Sequence, residues 1–104
     1  MTMQEAIERS LQIRKAYHQL EKEYHGTEWS VEEDALAFLT DAALVGRLTM
    51  AQQGRWPTGS EPKAELMDKI GESIWWLIIL ANRIGIDSKY ALEKFLETKE
   101  KQLM

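Results

Sequence analysis

Residues 74–81 form an unbroken apolar run, which reads Ile-Trp-Trp-Leu-Ile-Ile-Leu-Ala. Gly85 follows shortly afterwards, and glycine favours the left-handed conformation in which many helices end. A helix that is apolar on every face has to be buried, and a chain of 104 residues offers only a small core for it. The run therefore predicts a buried helix and a partner subunit that covers part of it.

Apolar residues recur at alternating spacings over residues 3–24, which predicts a first helix with one narrow apolar seam. The seam consists of Met3, Ala6, Ile13, Tyr17, Leu20 and Tyr24, with Ser10 at the missing step. Because the other faces are charged, we expect an outer helix, within residues 1–26, that packs through this seam. His18 and His25 belong to this segment, and with no second ligand at metal spacing we expect them to be solvated or hydrogen-bonded.

Two further helices begin at recognisable caps. Ser30 and Glu33 form the capping-box pattern, so a second helix is expected to start there and to end before Gly54. Ser60 is the expected cap of a third helix, which contains the apolar run and ends at Gly85.

A fourth helix is expected after the apolar run, capped by either Asp87 or Ser88 and fraying at residues 98–102. No alternation of β-branched and polar residues indicates a strand. The predicted fold class is therefore all-α, a four-helix bundle completed by oligomerisation, with residues 1–104 as one domain.

Composition narrows the possible partners. Hydrophobic residues make up 44% of the chain and charged residues 29%, as in ordinary globular proteins. There is no cysteine, which excludes disulfides and thiol chemistry and fits a reducing compartment, so we expect a cytoplasmic protein. The apolar run is too short to span a membrane. A net charge of -4 with dispersed basic residues argues against nucleic acid.

Carboxylates carry the clearest chemical signal. Glu65, Asp68 and Glu72 fall on one stripe of the third helix, and Asp34 and Asp41 share a face of the second. Two antiparallel helices could bring these sets together, and Mg²⁺ binds carboxylates together with substrate phosphates. The alternative is that some of the 17 acidic residues share a face by chance and are solvated.

The segment at residues 71–87 resembles the signature helix of the MazG-like family, in which an acid precedes an aromatic-rich apolar run that ends in a similar Asn-Arg-x-Gly-Ile-Asp. Upstream, Trp29 and the capped helix through Val45 take the place of that family's first metal-binding helix. The resemblance covers about residues 29–97, the expected core.

The resemblance implies an all-α nucleotide pyrophosphohydrolase that cleaves a nucleoside triphosphate to monophosphate and pyrophosphate with Mg²⁺ or Mn²⁺, as a homodimer or homotetramer. Asp41 and Glu72 match two acids of the family signature and are the implied catalytic metal ligands. Three other signature positions hold Thr40, Leu44 and Lys69, which carry no carboxylate.

Because of this departure, the family signature does not assign all residues of the metal and substrate sites. Glu65 and Asp68 are candidates to complete the metal site. Lys69 and Arg47 are candidates to bind phosphate, Trp75 to stack on a base, and Asn82 to contact substrate from the end of the matching segment.

Three functions therefore remain: a nucleotide pyrophosphohydrolase, a catalytically inactive nucleotide-binding or protein-binding relative, and a structural oligomeric module.

Overall fold

A computed structural model describes all 104 residues as four helices and no strand. The helices are α1 (Met3–His25), α2 (Val31–Gln52), α3 (Lys63–Arg83) and α4 (Ser88–Leu103). The all-α fold class is therefore confirmed. None of these helices is long and apolar enough to cross a membrane.

Two of the expected helix caps are confirmed. The Ser30 hydroxyl accepts the Glu33 N–H, and the Glu33 carboxylate accepts the Ser30 N–H, which completes the capping box of α2. Of the two candidates for the cap of α4, Asp87 holds the position, because its carboxylate accepts the Lys89 and Tyr90 N–H groups. Gly85 adopts a left-handed φ of 78° after α3, as predicted.

One expected boundary is wrong. The third helix starts at Lys63, not at a Ser60 cap. A residue before proline avoids the helical conformation, so Pro62 keeps Glu61 out of the helix, and the Glu61 carboxylate instead accepts the Lys63 N–H. The fourth helix includes the segment expected to fray and continues to Leu103. Its last turns are rich in Lys, Glu and Gln, which form helices readily.

The chain divides into two compact units, each described by itself below. The first unit comprises Met1–Trp29 and Ile78–Met104, and the second unit comprises Ser30–Leu77. Helix α3 contributes residues to both units.

The apolar run at residues 74–81 is buried on only part of its circumference. Ile79 has no exposed surface, and Trp76 and Ile78 are also buried. In contrast, Ile74 is 56% exposed and Leu77 is 52% exposed. The chain alone therefore does not bury the run.

The single chain leaves most of the seam predicted for α1 exposed. The residues of the predicted seam from Ile13 onwards are exposed, namely Ile13, Tyr17, Leu20 and Tyr24. Of the predicted seam only Ser10 is buried, together with Arg14 and Glu21 on the neighbouring stripe of the helix. Arg14 and Glu21 form an ion pair at 2.6 Å, so the two buried charges compensate each other.

Candidate functional site

The candidate site lies in the second unit, around the carboxylate of Asp41. Asp41 is buried on α2, with 7% of its surface exposed. The Trp76 indole N–H donates to its Oδ2 at 3.0 Å, and the Lys69 ammonium donates to its Oδ1 at 3.3 Å. Both oxygens of this buried acid therefore have a partner, and an unpartnered one would destabilise the fold.

Lys69 also reaches the second predicted acid. Its ammonium group donates to Glu72 Oε1 at 3.0 Å, so one cation contacts both carboxylates. We call Asp41, Lys69 and Glu72 the Lys69 bridge. The Ser73 hydroxyl donates to the Lys69 carbonyl at 2.7 Å, one helical turn away.

The electrostatics of the bridge keep the ammonium charged. Hydrogen bonds to Glu72 and Asp41 raise the pKa of Lys69 above its ordinary value, and burial only partly opposes them. The side chain of Lys69 is 22% exposed and that of Glu72 is 37% exposed, so the bridge borders on solvent.

This geometry does not fit the predicted magnesium site as it stands. The ammonium group of Lys69 contacts one oxygen of each acid, which is the bridging role that a divalent cation would have. Glu65 and Asp68 are exposed on α3, and no three His, Asp or Glu side chains converge closely enough to hold a metal ion. The structure thus brings Asp41 and Glu72 together but does not add the other two acids.

Arg47 and Trp75 have local partners in the second unit. The Arg47 guanidinium donates to the Trp56 carbonyl at 2.7 Å and lies 5.0 Å from the centroid of that ring, so it fastens the loop after α2. Trp75 packs edge-on against Trp76, with centroids 4.7 Å apart and ring planes 64° apart. These contacts describe structural roles, and the predicted roles in substrate binding stay predictions.

Asn82 belongs to the first unit. It lines an open cleft of about 380 Å³ beside Ile7 and Ile78, near the start of α4 at Ser88. The cleft is mixed in character, with aliphatic side chains beside amide and hydroxyl groups.

A second group of charges, which the sequence did not predict, lies in the first unit. Arg14 donates to Glu21 through two guanidinium nitrogens, at 2.6 and 3.3 Å, and both residues are buried. Glu21 also accepts the Trp29 N–H at 2.8 Å, while Arg83 donates to the Trp29 carbonyl at 2.8 Å. We call Arg14, Glu21 and Trp29 the Arg14 cluster.

The pKa of Glu21 depends on both its burial and its hydrogen bonds. Burial alone would raise the pKa, but the hydrogen bonds from Arg14 and from the Trp29 N–H outweigh it, and the pKa of Glu21 is lowered. The available signal was an Arg and a Glu seven residues apart on one helix face.

Comparison of the chain with protein-family models, with curated proteins and with solved structures gives no match. The resemblance to the MazG-like family therefore rests on the sequence of residues 71–87 and on the order of the helices. What the site does has to be argued from its own geometry.

Proposed function

We propose that this chain is a catalytically inactive, MazG-like helical module that binds a partner through its helices and does not hydrolyse nucleotides. The observation that carries this proposal is the Lys69 bridge. A cation that belongs to the protein already pairs with Asp41 and Glu72, the two acids expected to hold the metal.

The charges around the bridge support the same conclusion. A divalent cation would have to displace an ammonium group whose pKa is raised and whose charge repels it. Thr40 and Leu44 offer no negative charge in compensation. A hard cation needs several oxygen ligands, and its affinity falls as carboxylates are removed.

A second candidate function is the predicted nucleotide pyrophosphohydrolase with Mg²⁺ or Mn²⁺. One observation favours it, since Asp41 and Glu72 both lie within 3.3 Å of one Lys69 atom and so converge on a single cation. In this case the metal would replace Lys69 at both acids, and Lys69 would be free to contact phosphate.

Two further features belong to the proposal. A second copy of the chain completes the helical bundle, as a homodimer or homotetramer, because many large apolar side chains are exposed on the single chain. The protein acts in the cytoplasm, as its lack of cysteine favours.

A turnover assay separates the two functions. Purified protein is incubated with a panel of nucleoside triphosphates and Mg²⁺ or Mn²⁺, and pyrophosphate release is followed. We expect release no faster than in the matched Asp41→Asn variant. Release by the wild type that Asp41→Asn and Glu72→Gln each abolish, with helical circular dichroism unchanged, would establish the hydrolase instead.

Thermal unfolding with the same nucleotides identifies the type of partner. A rise in melting temperature without turnover assigns a nucleotide ligand, because a ligand that binds only the folded state stabilises it. An unchanged melting temperature excludes the tested nucleotides as ligands of the module.

A further inference from the structure

The cleft of the first unit has one side made of aliphatic side chains. Ile7 and Leu11 lie one turn apart on α1 and are half-buried, and Ile78 of α3 is buried. The volume of the cleft is about 380 Å³, at the lower end of the range of small-molecule sites, which is roughly 300–1,000 Å³. This aliphatic side suits the apolar part of a small ligand, because apolar surface is stabilised when it leaves water.

Polar groups that the chain does not use line the rest of the cleft. The Asn82 side-chain amide and the Ser88 hydroxyl make no hydrogen bond within the chain. Asp87 accepts the N–H groups of the next residues through Oδ1 alone, so its Oδ2 has no partner within the chain. A few polar groups beside an apolar wall are the usual composition of a small-molecule site.

The charge of the cleft indicates the class of ligand. Asp87 is the only charged residue that lines it. The neighbouring basic side chains have other partners, because Lys89 pairs with Glu93 at 4.0 Å and Arg83 donates to the Trp29 carbonyl at 2.8 Å. A ligand with one positive charge complements the Asp87 carboxylate, and hydrogen bonds between charged partners are stronger than neutral ones.

The start of α4 does not turn the cleft into an anion site. Free N–H groups at a helix N-terminus can bind phosphate. Here the Lys89 and Tyr90 N–H groups donate to the Asp87 carboxylate, and the Ala91 N–H donates to the Asp87 carbonyl. A phosphate in the cleft would meet a carboxylate and no basic side chain, so the ligand that suits the cleft is not a nucleotide.

We propose that this cleft binds a small organic ammonium ion with a compact aliphatic body. The aliphatic body packs against Ile7 and Ile78, and the ammonium group donates hydrogen bonds to the Asp87 carboxylate and to the Asn82 amide oxygen. The site shares no residue with the Lys69 bridge and needs neither a nucleotide nor a metal ion. It therefore goes beyond the proposed function and can fail or succeed independently of it.

NMR titration of the isotope-labelled full chain tests the site with three probes that share one cyclohexane ring. Cyclohexylmethylamine is positively charged at neutral pH, cyclohexylmethanol is uncharged, and cyclohexanecarboxylate is negatively charged. We expect the amine to shift the backbone amide signals of Ile7, Asn82 and Ser88 saturably, with a Kd of roughly 1 mM. The alcohol is expected to bind about tenfold more weakly, and the carboxylate is expected not to bind.

Substitution of Asp87 tests the role of the charge. Asp87→Asn removes the charge but keeps a residue type that caps helices well, so α4 is expected to stay folded. The affinity for the amine is expected to fall about tenfold, to that of the alcohol. The matched control Asp68→Asn, at an exposed acid of the second unit, is expected to bind the amine like the wild type.

A second variant keeps the result interpretable. If Asp87→Asn loses its helical circular dichroism, Asn82→Ala decides, because the Asn82 side chain makes no hydrogen bond within the chain. It is expected to weaken binding of the amine about threefold. The proposal would be overturned by equal binding of all three probes, by shifts confined to residues outside the cleft, or by no saturable binding of the amine in the millimolar range. A folded Asp87→Asn variant that binds the amine like the wild type would also overturn it.

Discussion

The Arg14 cluster of the first unit and the Lys69 bridge of the second unit both bury an acid beside a base, but in different ways. Arg14 and Glu21 lie on one helix, are both less than 10% exposed, and fix the backbone at Trp29. Lys69 joins acids on two helices, and Glu72 at its edge is 37% exposed. The buried Arg14 cluster thus stabilises the fold, whereas the partly exposed Lys69 bridge is accessible to a ligand.

The largest loss of stability is expected on substitution of Arg14. Arg14→Met leaves the Glu21 carboxylate buried without its cation, and we expect the free energy of unfolding to fall by about 3–5 kcal/mol. Urea unfolding measures this loss. The control Arg9→Met, on the exposed face of the same helix, is expected to change stability by less than about 0.5 kcal/mol. A loss at Arg14 no larger than at Arg9 would mean that the cluster does not hold the fold together.

A smaller effect is expected at Lys69. In Lys69→Met the Trp76 indole still donates to Asp41 and solvent still reaches Glu72, so we expect stability to fall by about 1–3 kcal/mol. The matched control is Lys63→Met, at an exposed position of the same helix. If Lys69→Met lowers the free energy of unfolding as much as Arg14→Met does, the Lys69 bridge contributes as much to stability as the Arg14 cluster. The proposed difference between the two groups would then be wrong.

The smallest expected effect is on the pH dependence of stability. Glu21 affects stability at acid pH, and Lys69 affects it at alkaline pH. The pKa of Glu21 is lowered, so its contribution is present above its ordinary value of 4.5 and is lost as the pH falls through the folded-state pKa. The pKa of Lys69 is raised, so its contribution is present below 10.5 and is lost as the pH rises through the folded-state pKa.

For one proton the slope is at most about 1.4 kcal/mol per pH unit. Urea midpoints should be measured as a function of pH, in the acid range and in the alkaline range. Glu21→Gln should reduce the pH dependence of stability only in the acid range, and Lys69→Met only in the alkaline range. If either variant changes the opposite range instead, the assignment of the two shifts is wrong.

Local signals in the sequence predicted most of the fold. Ser30 with Glu33 and the glycine at position 85 act on their immediate neighbours, so the pattern alone placed these helix ends. The start of α3 was missed because Pro62 overrides the capping tendency of Ser60. The exposure of Ile74 could not be predicted, since it depends on which face of α3 the rest of the chain covers.

The site was predictable only in part, because its contacts also depend on how the helices pack. Asp41 and Glu72 were chosen from their helix faces and a family resemblance, and they do converge. The sequence could not reveal that Lys69 joins them, because its reach depends on the distance between two helices. Likewise, nothing local to Arg14 and Glu21 marks them as buried, since Trp29 and distant Arg83 complete their surroundings.

Calorimetric titration with Mn²⁺ tests the claim that Lys69 takes the place of a metal ion between Asp41 and Glu72. The wild type is expected to show no saturable binding into the millimolar range. Lys69→Met, which removes the ammonium group from both carboxylates, is expected to gain weak saturable binding that is lost again when Asp41→Asn is added. Saturable micromolar binding of Mn²⁺ by the wild type, abolished by Asp41→Asn, would contradict the claim.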